Sequence, residues 1–217
     1  TMYQVPDYWL DKPYYSLNAY FQKTLGEKCY KVALDAGLSC PNRDGRTGSG
    51  GCIFCSVGGS GDFAVSATAS CIEAQLREGS EILHRKYTGS RFVAYFQAYT
   101  NTYGPVSYLR EIYTAALILP EVAGISVATR PDCLGPEVLS LLAELKERFP
   151  GKFIWIELGL QTMHEHTAAF IRRGYPLPVF EEAMANLQAL SLPVIVHVIL
   201  GLPFETAEDM YATTRYL

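Results

Sequence analysis

Three cysteines, Cys40, Cys52 and Cys55, stand at the spacing C-x11-C-x2-C. Two residues of turn bring the Cys52 and Cys55 thiolates onto one centre, and the glycines at 45, 48, 50 and 51 leave the intervening loop supple enough for Cys40 to close the site. Three thiolates with no evident fourth ligand point to an iron–sulfur cluster with one iron left open. Structural zinc ordinarily takes four protein ligands, so a zinc staple would have to recruit Cys29 or Cys71. Unrelated thiols are the third reading. Outside the trio, Cys29, Cys71 and Cys133 read as plain thiols, with Cys133 near the end of a strand.

Other residues invite chemistry less directly. Glu157 lies inside an apolar strand, where an unpaired carboxylate would cost several kcal/mol, so it is either a site acid or a paired structural one. His197, with apolar neighbours on both sides, reads as a core histidine or a cavity group. Arg130 and Asp132 end a strand as a loop-stapling ion pair or as substrate contacts. His164 and His166 are two apart, share no helix face, and are expected to face solvent. Tyr95, Tyr99 and Tyr103 either stack on an unpaired base or fill the interior.

The chain has 217 residues, 49% hydrophobic and 18% charged, enough for one domain with a sizeable core. Apolar runs such as 194–200 are too short to span a bilayer, and the opening residues are not expected to act as an export leader. Six cysteines in a chain with a good core fit a reduced, cytoplasmic compartment better than three disulfides. A net charge of −4 leaves no electrostatic footprint for nucleic acid.

The elements that must position these residues alternate. Strands are expected at 29–34, 91–97, 121–128, 152–158 and 193–200. Ser70-Cys71-Ile72-Glu73 reads as a capping box opening a helix to about Tyr87. Val106, Leu109, Tyr113 and Ala116 mark the next helix face, and Pro136 opens another that runs to about Phe149. Helices near 163–172, from Pro178 and from Thr206 follow. Residues 1–28 form an N-terminal cover with a helix near 16–25, and residues 29–217 the main unit. Short apolar strands alternating with amphipathic helices give a parallel sheet, wound right-handed into a barrel or partial barrel with its site beyond the carboxyl ends of the strands. Five βα units are visible, and the expectation is a chain truncated after the fifth.

In this order, Cys40-Pro41-Asn42-Arg43-Asp44-Gly45, Gly50-Gly51-Cys52-Ile53-Phe54-Cys55, Tyr95-Phe96-Gln97-Ala98-Tyr99-Thr100-Asn101-Thr102-Tyr103, Thr129-Arg130-Pro131-Asp132, Glu157-Leu158-Gly159-Leu160-Gln161-Thr162 and Gly201-Leu202-Pro203-Phe204-Glu205 resemble the radical S-adenosylmethionine (SAM) enzymes. Within them the chain is similar to relatives of the Elongator catalytic subunit, most closely the bacterial YtqA/YhcC-type subgroup. The resemblance implies an α/β, parallel, partial (βα)6 TIM-like barrel. It implies a [4Fe–4S] cluster on Cys40, Cys52 and Cys55, with SAM completing the open iron and yielding a 5′-deoxyadenosyl radical. It places Gln97 and Thr100 at the turn that meets the SAM amino group, Gln161 at the ribose, Arg173 at the carboxylate, and Gly201 and Leu202 along the adenine edge. Glu157 and His197 become the catalytic candidates. Tyr175 stands where the subgroup carries a histidine after Arg-Gly. The implied reaction is on a tRNA wobble uridine, carboxymethylaminomethyl to aminomethyl, with flavodoxin or ferredoxin as electron donor and a downstream methyltransferase. A radical SAM enzyme acting on a small molecule such as a porphyrin precursor, and a non-catalytic zinc-stapled binding module, are the alternatives.

Overall fold

Alternating small and branched apolar residues become strands in the computed structural model, which describes residues 6–10, 12–62, 64, 71–85 and 91–217. The strands are β1 (Tyr30–Leu34), β2 (Phe92–Phe96), β3 (Val122–Thr129), β4 (Phe153–Gln161) and β5 (Val194–Val198). They form one five-stranded sheet in the order β1-β2-β3-β4-β5, every neighbouring pair parallel. The helices are α1 (Leu17–Leu25), α2 (Ile72–His84), α3 (Val106–Leu117), α4 (Pro136–Arg148), α5 (Glu165–Phe170), α6 (Leu177–Ala189) and α7 (Ala207–Tyr216). The architecture is the expected open partial barrel, and its sheet does not close.

The period of two along each strand sorts side chains between faces. Val32, Leu34, Phe92, Phe96, Ile125, Val127, Ile154, Ile156 and Leu158 point outward and pack with Leu109, Tyr113, Leu141, Leu142, Leu145, Phe180 and Leu187 of the helices. The alternate positions point inward. Near the amino ends of the strands Val93, Ala123 and Trp155 form a second cluster with Phe21 of α1. Phe21 stacks on Trp155 at 5.5 Å with 12° between the rings. The N-terminal segment therefore plugs the bottom of the barrel. Its helix is fixed by Ser16, whose hydroxyl accepts from Ala19 N (3.1 Å), and by Gly26 in the left-handed region at φ +76°.

Some boundaries move. β4 runs on to Gln161 instead of stopping at Leu158, through an irregularity that pairs Gly159 with His197 and Gln161 with Val198. The extension carries Gly159 and Gln161 up to the mouth of the barrel. α2 is capped by Cys71, whose sulfur accepts from Ala74 N (3.5 Å), one residue later than the expected capping box. Ser70 and Tyr87 lie outside the described residues, as does Tyr3 of the cover. Among the described residues no helix is long and apolar enough to cross a membrane.

Candidate active site

The loop after β1 returns Cys40, Cys52 and Cys55 to the rim of a cavity of about 360 Å³ at the carboxyl ends of the strands. Its fold is set by backbone hydrogen bonds: Arg43 N and Asp44 N donate to Cys40 O, Gly51 N to Asn42 O, and Cys55 N to Cys52 O (3.0 Å). Gly51, at φ +81°, also keeps its α-carbon against Arg43, since an added Cβ would lie 3.0 Å from Arg43 Nε.

The site fits thiolate ligands. Asn42 Nδ2 donates to Cys52 Sγ (3.3 Å), and Arg43 Nη2 donates to Cys55 Sγ (3.3 Å). Burial pushes the Cys52 thiol up, while the Asn42 hydrogen bond and the Arg130 charge pull it down; a metal centre tips such a thiol to thiolate outright. Among the described residues no three His, Cys, Asp or Glu side chains converge as ligands of one metal ion. A cubane asks for a different arrangement, because each cysteine takes its own iron and the sulfurs stand apart. Among the described residues neither thiol that a zinc staple would recruit joins the trio. Cys29 is buried in the cluster at the bottom of the barrel, where its thiol is pushed up to about 11, and Cys71 is occupied capping α2 on the outside.

Below the sulfurs the inward face of the sheet turns polar. Glu157 is 2% exposed and accepts from three sides: Lys31 Nζ and Ser126 Oγ at Oε1, and His197 Nε2 at Oε2 (2.8 Å). Burial alone would raise its pKa, but the His197 hydrogen bond, the Lys31 charge and the Ser126 hydroxyl outweigh that and lower it to about 2. Glu157 is thus a paired acid and a cavity residue at once. His197, on the opposite side of the pair, keeps 48% of its side chain exposed and lines the same cavity. Tyr95 sits beside them with Lys31 Nζ 4.3 Å from its ring centroid, its phenol pushed up by burial and by the Glu157 charge.

The other expected residues divide. Gln97, Thr100 and Gln161 line the cavity. Gln161 and Tyr99 adopt left-handed backbone at φ +66° and +62°, uncommon for residues with a Cβ and recurrent where side chains are aimed at a ligand. Arg173 lines the cavity but is 1% exposed, and its guanidinium is directed at the chain itself. Nε donates to Tyr175 O (3.0 Å), Nη1 to Leu160 O (3.0 Å) and Thr162 O (2.6 Å), and Nη2 to Glu165 Oε1 (3.3 Å). Those bonds use all but one of its five N–H groups, so it clamps the end of β4 instead of offering a free fork to a carboxylate. Gly201 and Leu202 do not line the cavity; Val198 and Ile199 do. Gly201 N donates to Met210 Sδ (3.1 Å) and Leu202 is buried, which folds that turn towards α7.

Of the two readings of Arg130 and Asp132, the ion pair is present, bidentate at 2.9 and 2.8 Å; Arg130 Nη1 also donates to Arg173 O (2.9 Å), and Arg130 still lines the cavity. Tyr175 lies beneath both guanidiniums at 4.9 and 4.8 Å, and its hydroxyl donates to Gly159 O. His164 is not simply solvated: its ring meets Asp209 O (3.0 Å). Tyr99 lines the cavity, and its hydroxyl donates to Val57 O (2.9 Å), stapling the cysteine loop to the end of β2.

The residues missed from sequence are Lys31, Ser126, and the donors Asn42 and Arg43. Lys31 had a signal, as a cation at an inward position of an apolar strand. Asn42 and Arg43 had only their place next to Cys40.

The profile of the Radical SAM superfamily matches residues 43–217. YtqA of Bacillus subtilis (strain 168), an uncharacterized protein, is 45% identical over 205 residues, 94% of this chain and 62% of that protein. YhcC of Escherichia coli (strain K12) is 41% identical over 188 residues, 87% of this chain and 59% of that protein. The chain thus spans about three fifths of the length of these relatives. Among solved structures, archaeal Methanocaldococcus infernus Elp3 with an N-terminal deletion superposes with a TM-score of 0.58 at 15% identity, covering 86% of this chain and 41% of that one. Coproporphyrinogen III oxidase (HemN) of Escherichia coli, a radical SAM enzyme, superposes with a TM-score of 0.54 at 14% identity, covering 93% of this chain and 44% of that one. At these identities the structural likeness is one of fold.

Proposed function

Because the chain belongs to the radical SAM superfamily, we propose that it is the catalytic core of an enzyme that abstracts hydrogen from a tRNA wobble uridine, trimming carboxymethylaminomethyl to aminomethyl. Members of the superfamily use a [4Fe–4S] cluster and SAM. When bound, these supply a 5′-deoxyadenosyl radical. The observation that carries the reading is the placing of Cys40, Cys52 and Cys55 on the rim of the cavity that Glu157 and His197 also line.

The chain's own groups have separable tasks. The cysteines hold the cluster; Gln97, Thr100 and Gln161 bind SAM from the ends of β2 and β4. Arg173 acts there by fixing the backbone that presents Gln161. Glu157 orients His197, leaving the outward nitrogen of the imidazole to hold or accept a proton at the substrate. The α1 plug closes the amino end of the barrel, and the apolar helix layer covers the outer face of the sheet.

The tRNA assignment rests on the motif resemblance to the Elongator-related subgroup. The electron donor (flavodoxin or ferredoxin), a downstream methyltransferase and a cytoplasmic setting belong to the same proposal. A net charge of −4 gives this chain no excess of positive charge for a polyanion, and the second reading is a radical SAM enzyme acting on a small molecule such as a porphyrin precursor. Anaerobic protein reconstituted with iron and sulfide is expected to release 5′-deoxyadenosine with dithionite and SAM; none from a fully loaded protein rejects the radical reading. Nucleosides of total tRNA from a deletion strain separate the substrates. Accumulated carboxymethylaminomethyl uridine supports tRNA, and an unchanged wobble profile supports the small molecule.

A further inference from the structure

The two residues at positions 42 and 43 each send a side-chain N–H to a different sulfur. Asn42 Nδ2 donates to Cys52 Sγ (3.3 Å) and to Arg172 O (2.6 Å). The amide orientation is fixed by these neighbours, because the reverse would press Oδ1 against a carbonyl oxygen and a sulfur. Asn42 is 4% exposed, and Gly48 gives it room: a Cβ there would stand 2.3 Å from Oδ1. The Arg43 fork closes over the second sulfur. Nη2 donates to Cys55 Sγ (3.3 Å), Cys55 O (3.4 Å) and Ser56 O, and Nη1 to Val57 O (3.4 Å). Its guanidinium lies 5.4 Å from the centroid of the Tyr99 ring. Its Nε is buried without a hydrogen-bond partner among the described residues, a donor that a neighbouring negative centre would satisfy.

We propose that Asn42 and Arg43 are positioning residues that set the reduction potential of the cluster held by Cys40, Cys52 and Cys55. The proposal rests on the cofactor assignment above and goes beyond it. One electron added to the cluster deepens the negative charge shared by iron and sulfur. An N–H aimed at a ligand sulfur, and a guanidinium charge beside it, therefore stabilise the reduced form more than the oxidised one. Both donors act in that direction, so both raise the potential and ease one-electron reduction by an external donor.

The test is an anaerobic dithionite titration of reconstituted protein, following the reduced cluster by electron paramagnetic resonance. Asn42→Ala and Arg43→Met are each expected to lower the reduced-to-oxidised ratio at the wild-type midpoint about tenfold, ~59 mV for a one-electron couple. Arg43→Lys, which keeps the charge without the fork, is expected to fall between wild type and Arg43→Met. Variants with wild-type iron and acid-labile sulfide whose titrations overlay the wild type overturn the proposal. If Arg43→Met fails to load, Asn42→Ala and Arg43→Lys decide, and unchanged potentials in both overturn it. Wild-type protein that takes up no acid-labile sulfide overturns the cofactor assignment itself, a distinct result.

Discussion

A carboxylate at 2% exposure is tolerable only in company, and Glu157 is held by Lys31, Ser126 and His197 at once. Removing Lys31 takes a positive charge from this set and leaves Glu157 with only the Ser126 and His197 hydrogen bonds. Lys31→Met is expected to cost about 3–5 kcal/mol in urea unfolding, and Lys31→Met/Glu157→Gln to recover most of it, since replacing both charges removes the penalty. A double variant no more stable than Lys31→Met would show that the pair is not coupled. The same group gives a pH signature. Its folded pKa is depressed to about 2, so between that value and its unfolded value the unfolded chain binds the extra proton. The resulting stability is present above the unfolded value and is lost as pH falls towards the folded one. Unfolding free energies followed from about pH 5 to about pH 3 should therefore fall more steeply in the wild type than in Glu157→Gln; equal slopes would contradict the assignment.

At the scale of elements, α1 works as a plug. Phe21 fills the amino end of the barrel against Trp155 and Val93, whereas Leu17 on the same helix is 44% exposed. Phe21→Ala is expected to destabilise by about 3–5 kcal/mol in chemical denaturation, and Leu17→Ala by less than about 0.5 kcal/mol. Equal effects would mean that the helix is only draped on the surface. Element existence was legible because period-two strands and period-3.6 helices write themselves into apolar spacing, as in 92–96 and 106–116. The candidate site was legible where residue type alone restricts chemistry, as with the cysteines and with Glu157 in an apolar strand. Its partners were not. That Lys31 reaches Glu157 depends on the tilt of β1 against β4 across an intervening gap of two strands, and that Arg173 turns inward depends on the extension of β4 to Gln161. Neither distance in space is encoded by a distance in sequence.

The whole molecule sorts its six cysteines by place, and this division is itself testable. Parallel strands give the sheet two unlike ends: one closed by aromatic packing around Phe21, the other open and carrying the loops. Cys40, Cys52 and Cys55 belong to the open end, Cys29 to the closed one, and Cys71 to the outer layer. Cys133 is the discriminating case, because it follows β3 at the open end, close enough for Cys40 to act on its titration. Burial, with the Asp132 charge, pushes its thiol up to about 12, and it does not line the cavity that Cys40, Cys52 and Cys55 line. Alanine at 40, 52 or 55 should abolish iron and acid-labile sulfide after anaerobic reconstitution while leaving the far-ultraviolet circular dichroism unchanged, since none of the three lies in a strand or helix. Alanine at 71 or 133 should leave both contents at wild-type levels. Loss of metal in Cys71→Ala would restore the four-ligand zinc staple, and loss in Cys133→Ala would give the cluster a fourth protein ligand, closing the iron on which SAM depends.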